Sequence, residues 1–413
     1  MVNLWLGFLE QGMRQSASWY FVLSACALSL SFFPPRQPLP EFTRNQVSPT
    51  ADDTASYPTY QRTLQLETEP ATSANMSFGD VDGDGTMDIV LAKGRHWPLV
   101  DRVILTDGRG HIRRAYDLGT ASDRTYAGRL VDLDGNGTLD VVISNDAPDP
   151  KLVYLNDGKG HFRVGSQYGH PEWETRNASV VDVNGDGRPD IIAANRSDKP
   201  QNYVCLNDGH GAFSSDCRPF ARYSATTITP GDMNHDGQVD LVVPNRDGGQ
   251  SYVYLGDGRG DFSDERRVPF GPANASIRIC DVADFNGDGN LDIVASDERT
   301  GVALYLGKKD GTFGPASSIE GPSPVPYALA VGDLNGDGAP DIVVGHVEAP
   351  SVVFFNGDRG ARFTAVHFGD NKGTVYGFAI GDLDHDGVLD IGTARSEAVN
   401  MVYFGARPVH KGP

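Results

Sequence analysis

The sequence predicts an all-β fold, a seven-bladed β-propeller with one acidic loop per blade and a ring closed by an N-terminal strand. Three observations carry this. A nine-residue pattern, D-x-[DN]-x-[DN]-G-x-x-D, occurs seven times in 413 residues, starting at Asp80, Asp132, Asp182, Asp232, Asp284, Asp333 and Asp382. Successive starts lie 52, 50, 50, 52, 49 and 49 residues apart, and a fixed period of that size marks a repeat architecture. Each copy is followed by two short apolar runs, the second usually ending in a Gly-rich turn and an aromatic residue. Composition agrees, since 49 Gly and 26 Pro favour many turns over long helices.

Within a repeat the elements follow in order. An apolar stretch such as ASVVD or ALAVGD precedes the acidic loop. The loop leads into MDIVLA, LDVVIS, PDIIAA, VDLVVP, LDIVAS, PDIVVG or LDIGTA, and such runs without polar alternation read as strands buried on both faces. The next run ends in a DG-type turn, as in VYLNDGKGHF (Val153 to Phe162), VCLNDGHGAF (Val204 to Phe213) and VYLGDGRGDF (Val253 to Phe262), a hairpin signature. Four strands in about 50 residues make a propeller blade. After Met401 to Gly405 the chain ends within eight residues, too few for a fourth strand in the last repeat. The alternating segment Tyr60 to Glu67 is expected to complete the seventh blade, leaving no open sheet edge.

The loops carry oxygen donors at alternate positions, a Gly for a sharp turn and a terminal carboxylate, which is what Ca²⁺ requires. The expected ligands are Asp80, Asp82, Asp84 and Asp88; Asp132, Asp134, Asn136 and Asp140; Asp182, Asn184, Asp186 and Asp190; Asp232, Asn234, Asp236 and Asp240; Asp284, Asn286, Asp288 and Asp292; Asp333, Asn335, Asp337 and Asp341; and Asp382, Asp384, Asp386 and Asp390. Up to seven Ca²⁺ ions follow, with the second loop the loosest because Asn136 replaces an acid. An EF-hand is excluded, because its twelfth-position Glu is here Leu91, Ile143, Ala193, Val243, Ala295, Val344 or Thr393. Metal-free Asx turns are the plainer alternative, but three or four carboxylates in nine residues repel one another without a cation.

DVNGDGRPDI and its siblings, followed by the YLNDGxGxF hairpin, resemble the FG-GAP/VCBS repeats of bacterial surface and secreted proteins, relatives of the integrin α-subunit head propeller. The resemblance covers residues 59–407 and implies the propeller and its calcium loops. It leaves function open among adhesion modules, lectins and a few polysaccharide-degrading enzymes.

Residues 1–33 read as a signal peptide or membrane anchor. Trp19 to Phe33 is an apolar run of 15 residues, short for a spanning helix. Met13 and Arg14 would begin an n-region, and Leu23-Ser24-Ala25-Cys26 resembles a lipobox. Lipidation at Cys26, ordinary secretion and a retained anchor stay open, and all three imply export. Residues 34–58, rich in Pro, Thr and Asp, read as a flexible tether. Cys205 and Cys217 are expected either to pair or to remain buried thiols, and Cys280 to be a core residue.

Strand order places acidic loops and DG turns on one face. The loops between second and third strands and the blade-to-blade connections share the other, where a propeller ligand converges on the axis. The polar groups there are Arg95, His96, Trp97, Arg124, Tyr126, Asn145, Arg176, Asn195, Arg196, Tyr223, Asn245, Arg246, Arg299, Tyr327, His346, Tyr376 and Arg395. Arginine, amide and aromatic side chains suit a sugar, while solvated loops are polar without any ligand. The expected function is an exported, monomeric binding module for carbohydrate, or for an extracellular protein. The alternative is a lyase on a uronate-containing polysaccharide, with His96, Tyr126, Arg124 and Arg95 near the chemistry. A structural or adhesion domain is the third reading. No serine-hydrolase elbow, zinc-protease pair or phosphate loop is present.

The formal charge of −20 argues against nucleic acid and an anionic bilayer as partners, leaving the N-terminus as the only expected membrane attachment. The seven loops hold 23 of the 55 acidic residues, which leaves 32 acids against 35 bases elsewhere. The acidity belongs to one face, and an anionic ligand on the other is compatible with it.

Overall fold

The structure is a computed structural model that describes residues 56–213 and 216–408. The expected leader at 1–33 with Cys26, and the tether as far as residue 55, lie outside the described residues. Among the described residues, twenty-eight strands form seven four-stranded antiparallel sheets. Blade 1 is typical, with an inner strand Ser73–Gly79, a second strand Asp88–Lys93, a third Arg102–Thr106 and an outer strand Ile112–Asp117. Neighbouring inner strands touch all the way round, so the blades close a ring. The last blade takes its outer strand from the N-terminus, where Thr59–Gln65 pairs antiparallel with Met401–Ala406. Among the described residues no helix is long and apolar enough to cross a membrane.

Second strands are buried end to end, as in Asp140–Asn145, and third strands mostly so, as in Lys151–Asn156, because each blade packs both faces against its neighbours. Val81, Val90, Val103 and Leu105 of blade 1 share one core with Val141, Ile143, Leu152 and Tyr154 of blade 2. Leu66, Met76, Ile89 and Leu91 meet Leu383, Ala394, Val402 and Phe404 where the ring closes. An asparagine at the turn after the third strand stitches blades together: the Asn156, Asn207 and Asn356 amides donate to the carbonyls of Val81, Leu133 and Phe285 in the preceding blade. Within a blade, a polar residue just before or at the start of the third strand ties it to the second strand. Asp101, Asn202 and Asn400 accept the N–H groups of Lys93, Asn195 and Arg395, which end second strands.

Blade 3 departs from the regular hairpin. Its outer strand is displaced to Arg218–Phe220, and a Cys205–Cys217 disulfide ties it to the third strand Asn202–Cys205. Cys280 is a free, buried thiol, its pKa pushed up by burial.

Candidate functional site

Two features of the ring carry chemistry, one on each face. On the first, the acidic loops fold on their own carboxylates. The opening aspartate accepts backbone N–H groups further along its loop, as Asp80 does from Gly83 at 2.7 Å and Gly85 at 2.9 Å. Asp80, Asp82 and Asp88 bring ligand oxygens within 4.8 Å of one another, as do Asp132, Asp134 and Asp140, and Asp382, Asp384 and Asp390. Asp82 Oδ1 and Asp384 Oδ1 are buried without a hydrogen-bond partner, which is costly unless something completes them. Guanidinium groups approach the same carboxylates, Arg113 at Asp82 and Asp84 and Arg62 of the closing strand at Asp384. Crowded hard donors with orphaned oxygens fit a divalent cation such as Ca²⁺. The second loop, with Asn136, is one of the three converging trios. In the four loops with Asn at the third position, the amides of Asn184, Asn234, Asn286 and Asn335 instead turn onto Asp186, Asp236, Asp288 and Asp337 at 2.9–3.2 Å.

The ninth-position aspartate has a second role that the spacing alone did not reveal. Asp88 is fully buried; its Oδ2 accepts the N–H of Val81 and its Oδ1 that of Thr106, at the end of the third strand. The same two bonds recur at Asp140, Asp190, Asp240, Asp292, Asp341 and Asp390. Each is a staple from loop to sheet. Burial pushes these carboxyls up, to about 6 at Asp88 and about 7 at Asp341 and Asp390.

On the opposite face, six inner strands carry a register shift at one place, leaving Ala74, Tyr126, Arg176, Arg278, Tyr327 and Tyr376 as the extra residues. A bulge re-aims its side chain, and here the side chains meet round the mouth of the axial channel. The Arg95 guanidinium lies 3.6 Å from the Tyr376 ring centre, Arg176 lies 4.5 Å from Tyr126, and Arg278 lies 3.5 Å from Tyr327. Tyr327 and Tyr376 stand edge to face at 4.9 Å. Arg95 reaches the ring from the loop after the second strand, where Gly94 at φ 114° turns the chain. A Cβ there would lie 2.4 Å from the Asp123 carbonyl. The Tyr126 hydroxyl lies 3.1 Å from His96 Nε2. Burial first, then the charges of Arg95, Arg176 and Arg196, hold His96 below its ordinary pKa. Trp97 stands beside this cluster in sequence and is 70% exposed.

Of the expected ligand residues, Arg95, His96, Tyr126, Arg176, Arg196, Arg246, Tyr327 and Tyr376 converge. The others do not. Arg124 is held by both oxygens of Asp149 at 2.9–3.1 Å. Asn145 and Asn195 are buried struts bonded to the Pro150 and Gln201 carbonyls. Tyr223 packs in a blade core against Tyr252 and Tyr254. Asn245 turns its loop, with its N–H bound to Ser251, and Arg299 binds the Asn274 carbonyl at 2.6 Å. His346 is 0% exposed, with one ring nitrogen on the Pro350 carbonyl and the other on Glu320. Arg395 is buried on the Val399 carbonyl and Asp370. Each of these residues already makes a bond or packing contact within the protein. Sequence reading missed Arg278 and its partner Glu298 at 3.4 Å; the signal was the aligned bulge position, which Arg278 shares with Arg176.

Residues 132–193, 182–243, 232–295, 284–344 and 333–393 match the FG-GAP-like repeat, over more than half of the chain. The chain belongs to the FG-GAP-like repeat family. In this FG-GAP repeat propeller each match runs from one acidic loop through the next. No curated protein sequence matches the chain. Among solved structures it resembles BBS1N in complex with ARL6DN, with a TM-score of 0.56 and 13% identity over 84% of this chain and 97% of that one. It also resembles the Dos1 propeller, with a TM-score of 0.52 and 9% identity over 85% and 96%. Raptor of Chaetomium thermophilum gives a TM-score of 0.58 and 13% identity over 88% of this chain and 30% of that one. Likeness at such identities carries the fold alone.

Proposed function

We propose that this FG-GAP repeat propeller is an exported, calcium-loaded binding module that takes carbohydrate at the axial mouth. One observation carries the reading: arginine and tyrosine side chains from six blades converge there, beside the exposed Trp97. Guanidinium and phenol groups meet sugar hydroxyls, and an open indole offers a face for a sugar ring. The acidic trios would hold the calcium, with the ninth-position aspartates anchoring each loop, and the ion would neutralise carboxylates that otherwise repel. The Cys205–Cys217 disulfide supports an oxidising compartment.

A glycan array in calcium, read for the parent and for Trp97→Ala and Tyr327→Ala, tests the ligand. Binding by the parent that falls in both variants is expected. An array without binders, together with a captured protein ligand, would replace this reading by protein adhesion. The similar BBS1N fold was solved in complex with a protein, ARL6DN. For the metal, thermal melts in calcium and in chelator should differ by several degrees, since an ion at a hundred times its Kd adds about 2.7 kcal/mol per site; superimposable melts would refute it.

The Tyr126–His96 contact at 3.1 Å favours one second reading, a lyase on acidic polysaccharide with Tyr126 and His96 moving the proton and Arg95 facing the uronate. Arg124, occupied by Asp149, has no part in it. Absorbance from new unsaturated ends, absent in Tyr126→Phe, is the check; a flat trace with uronate polymers ends this reading.

A further inference from the structure

The cations of the axial mouth are not equally balanced. Arg176 is paired with Asp146 at 2.5 Å and Glu174 at 3.5 Å, and Arg196 with Asp247 at 2.9 Å. Arg95 has no carboxylate of the described residues within 4.0 Å; its guanidinium faces the Ser396 hydroxyl at 3.4 Å and the rings of Tyr376 and Tyr126. Arg246 and Arg278 share a single acid, Glu298, at 2.6 and 3.4 Å. These two undercompensated centres flank one ring, since Tyr376 lies 3.6 Å from the Arg95 guanidinium and 5.7 Å from that of Arg278.

Hydrogen bonding shows a second deficit at Arg95 and Arg246. Arg95 Nε and Arg246 Nε are buried without a partner, as are Thr226 Oγ1 and Thr227 Oγ1 on the blade between Arg176 and Arg278. Buried donors in folded proteins are almost always satisfied. Arg176 Nη1, beside its two carboxylates, and Arg102 Nε also lack a partner, so unmet donors alone do not mark the site; at Arg95 and Arg246 a deficit of acceptors falls together with a deficit of negative charge, and both call for the same kind of missing group.

We propose that the mouth takes an acidic glycan through two anionic groups, one facing Arg95 and the other facing Arg246 and Arg278, on either side of Tyr376. Guanidinium groups pair with carboxylate and sulfate through charge-assisted bonds, so uronate and sulfate ester are two sources of one chemistry. A glycan fits better than an acidic peptide, because the converging groups are guanidinium, phenol, imidazole and hydroxyl, with the exposed Trp97 next to His96 in the chain. This inference rests on the carbohydrate reading and is independent of turnover.

The test is calorimetric titration of the calcium-loaded protein with tetragalacturonate, its carboxyl-reduced counterpart, monomeric galacturonate, a carrageenan tetrasaccharide and polyglutamate. An acidic tetrasaccharide is expected to bind at least about tenfold more tightly than the neutral one and than the monomer, the advantage shrinking as salt rises. Whichever of galacturonate and carrageenan binds names the anion. Arg95→Gln and Arg246→Gln should each weaken the acidic ligand about tenfold, and Arg95→Lys should recover part of the loss. Circular dichroism and melts confirm that the variants fold. Equal binding of the acidic and reduced tetrasaccharides would overturn the inference and leave the carbohydrate reading standing. A monomer as tight as the tetrasaccharide would overturn the two-anion arrangement. Binding by polyglutamate alone, or by no glycan, would overturn both.

Discussion

Asp101 is buried in blade 1, where its Oδ1 accepts the N–H of Lys93 and its Oδ2 faces the Thr125 hydroxyl at 3.0 Å. Thr125 has one proton, and the Asn145 side-chain oxygen at 2.8 Å also claims it. A protonated Asp101 donates to Thr125, which then donates to Asn145, and every group is satisfied. Burial pushes its pKa up to about 7. The raised value fixes the sign of the linkage. The stability contributed by this carboxyl is complete below about pH 4 and is lost as pH rises through about 7, because the folded state holds the proton more tightly. At about 1.4 kcal/mol per pH decade between the ordinary and raised values, the loss reaches about 4 kcal/mol. Asn occupies the corresponding place at Asn202 and Asn400, and an Asn substituted at position 101 would offer its amide N–H to Thr125 at every pH. Asp101→Asn should therefore leave stability nearly unchanged at pH 4 and raise it by roughly 2–4 kcal/mol at pH 8, the lower figure allowing for lost attraction to Lys93. Urea unfolding at half-unit pH steps, in fixed calcium, measures the difference between parent and variant. A difference that does not grow with pH, or a variant weaker at pH 8, would refute the reasoning.

In chelator, Asp88→Ala should cost about 2–5 kcal/mol by orphaning two buried N–H groups, whereas the exposed Asp84→Ala should cost under about 1; equal losses would remove the staple. The His96 ring should titrate below its ordinary value by NMR, so that it is neutral at pH 7, and should move upward in Arg95→Gln; an unmoved midpoint contradicts the proximity of the two charges. Deleting residues 56–66 should open the Met401–Ala406 edge, lower the melting temperature by many degrees and promote association, and a monomer melting like the parent would show that the closing strand is dispensable.

The fold was legible because the 50-residue period, the loop spacing and the paired apolar runs all state the same unit. The axial site was legible only in part. Tyr126, Arg176, Tyr327 and Tyr376 could be placed on the correct face from strand order, but Arg278 lies inside an apolar strand, and only the register shift brings it to the mouth. His346, Asn145 and Arg395 looked like solvated loop polars in sequence, yet they bond backbone carbonyls inside the blades. A connecting loop must satisfy its own buried backbone before it can serve a ligand, and sequence does not say which polar residue is used for that. Asp88 and its equivalents show the reverse case, a residue chosen for one task performing two.

The repeated bulge has a further consequence. Its residue stands outside the ladder, so exchanging it disturbs no backbone pairing, and the six positions now read Ala, Tyr, Arg, Arg, Tyr and Tyr in chain order. The ring thus behaves as a frame with interchangeable letters. Selection or a protein engineer can rewrite what the mouth recognises one blade at a time, with the cores that hold the blades together left as they are.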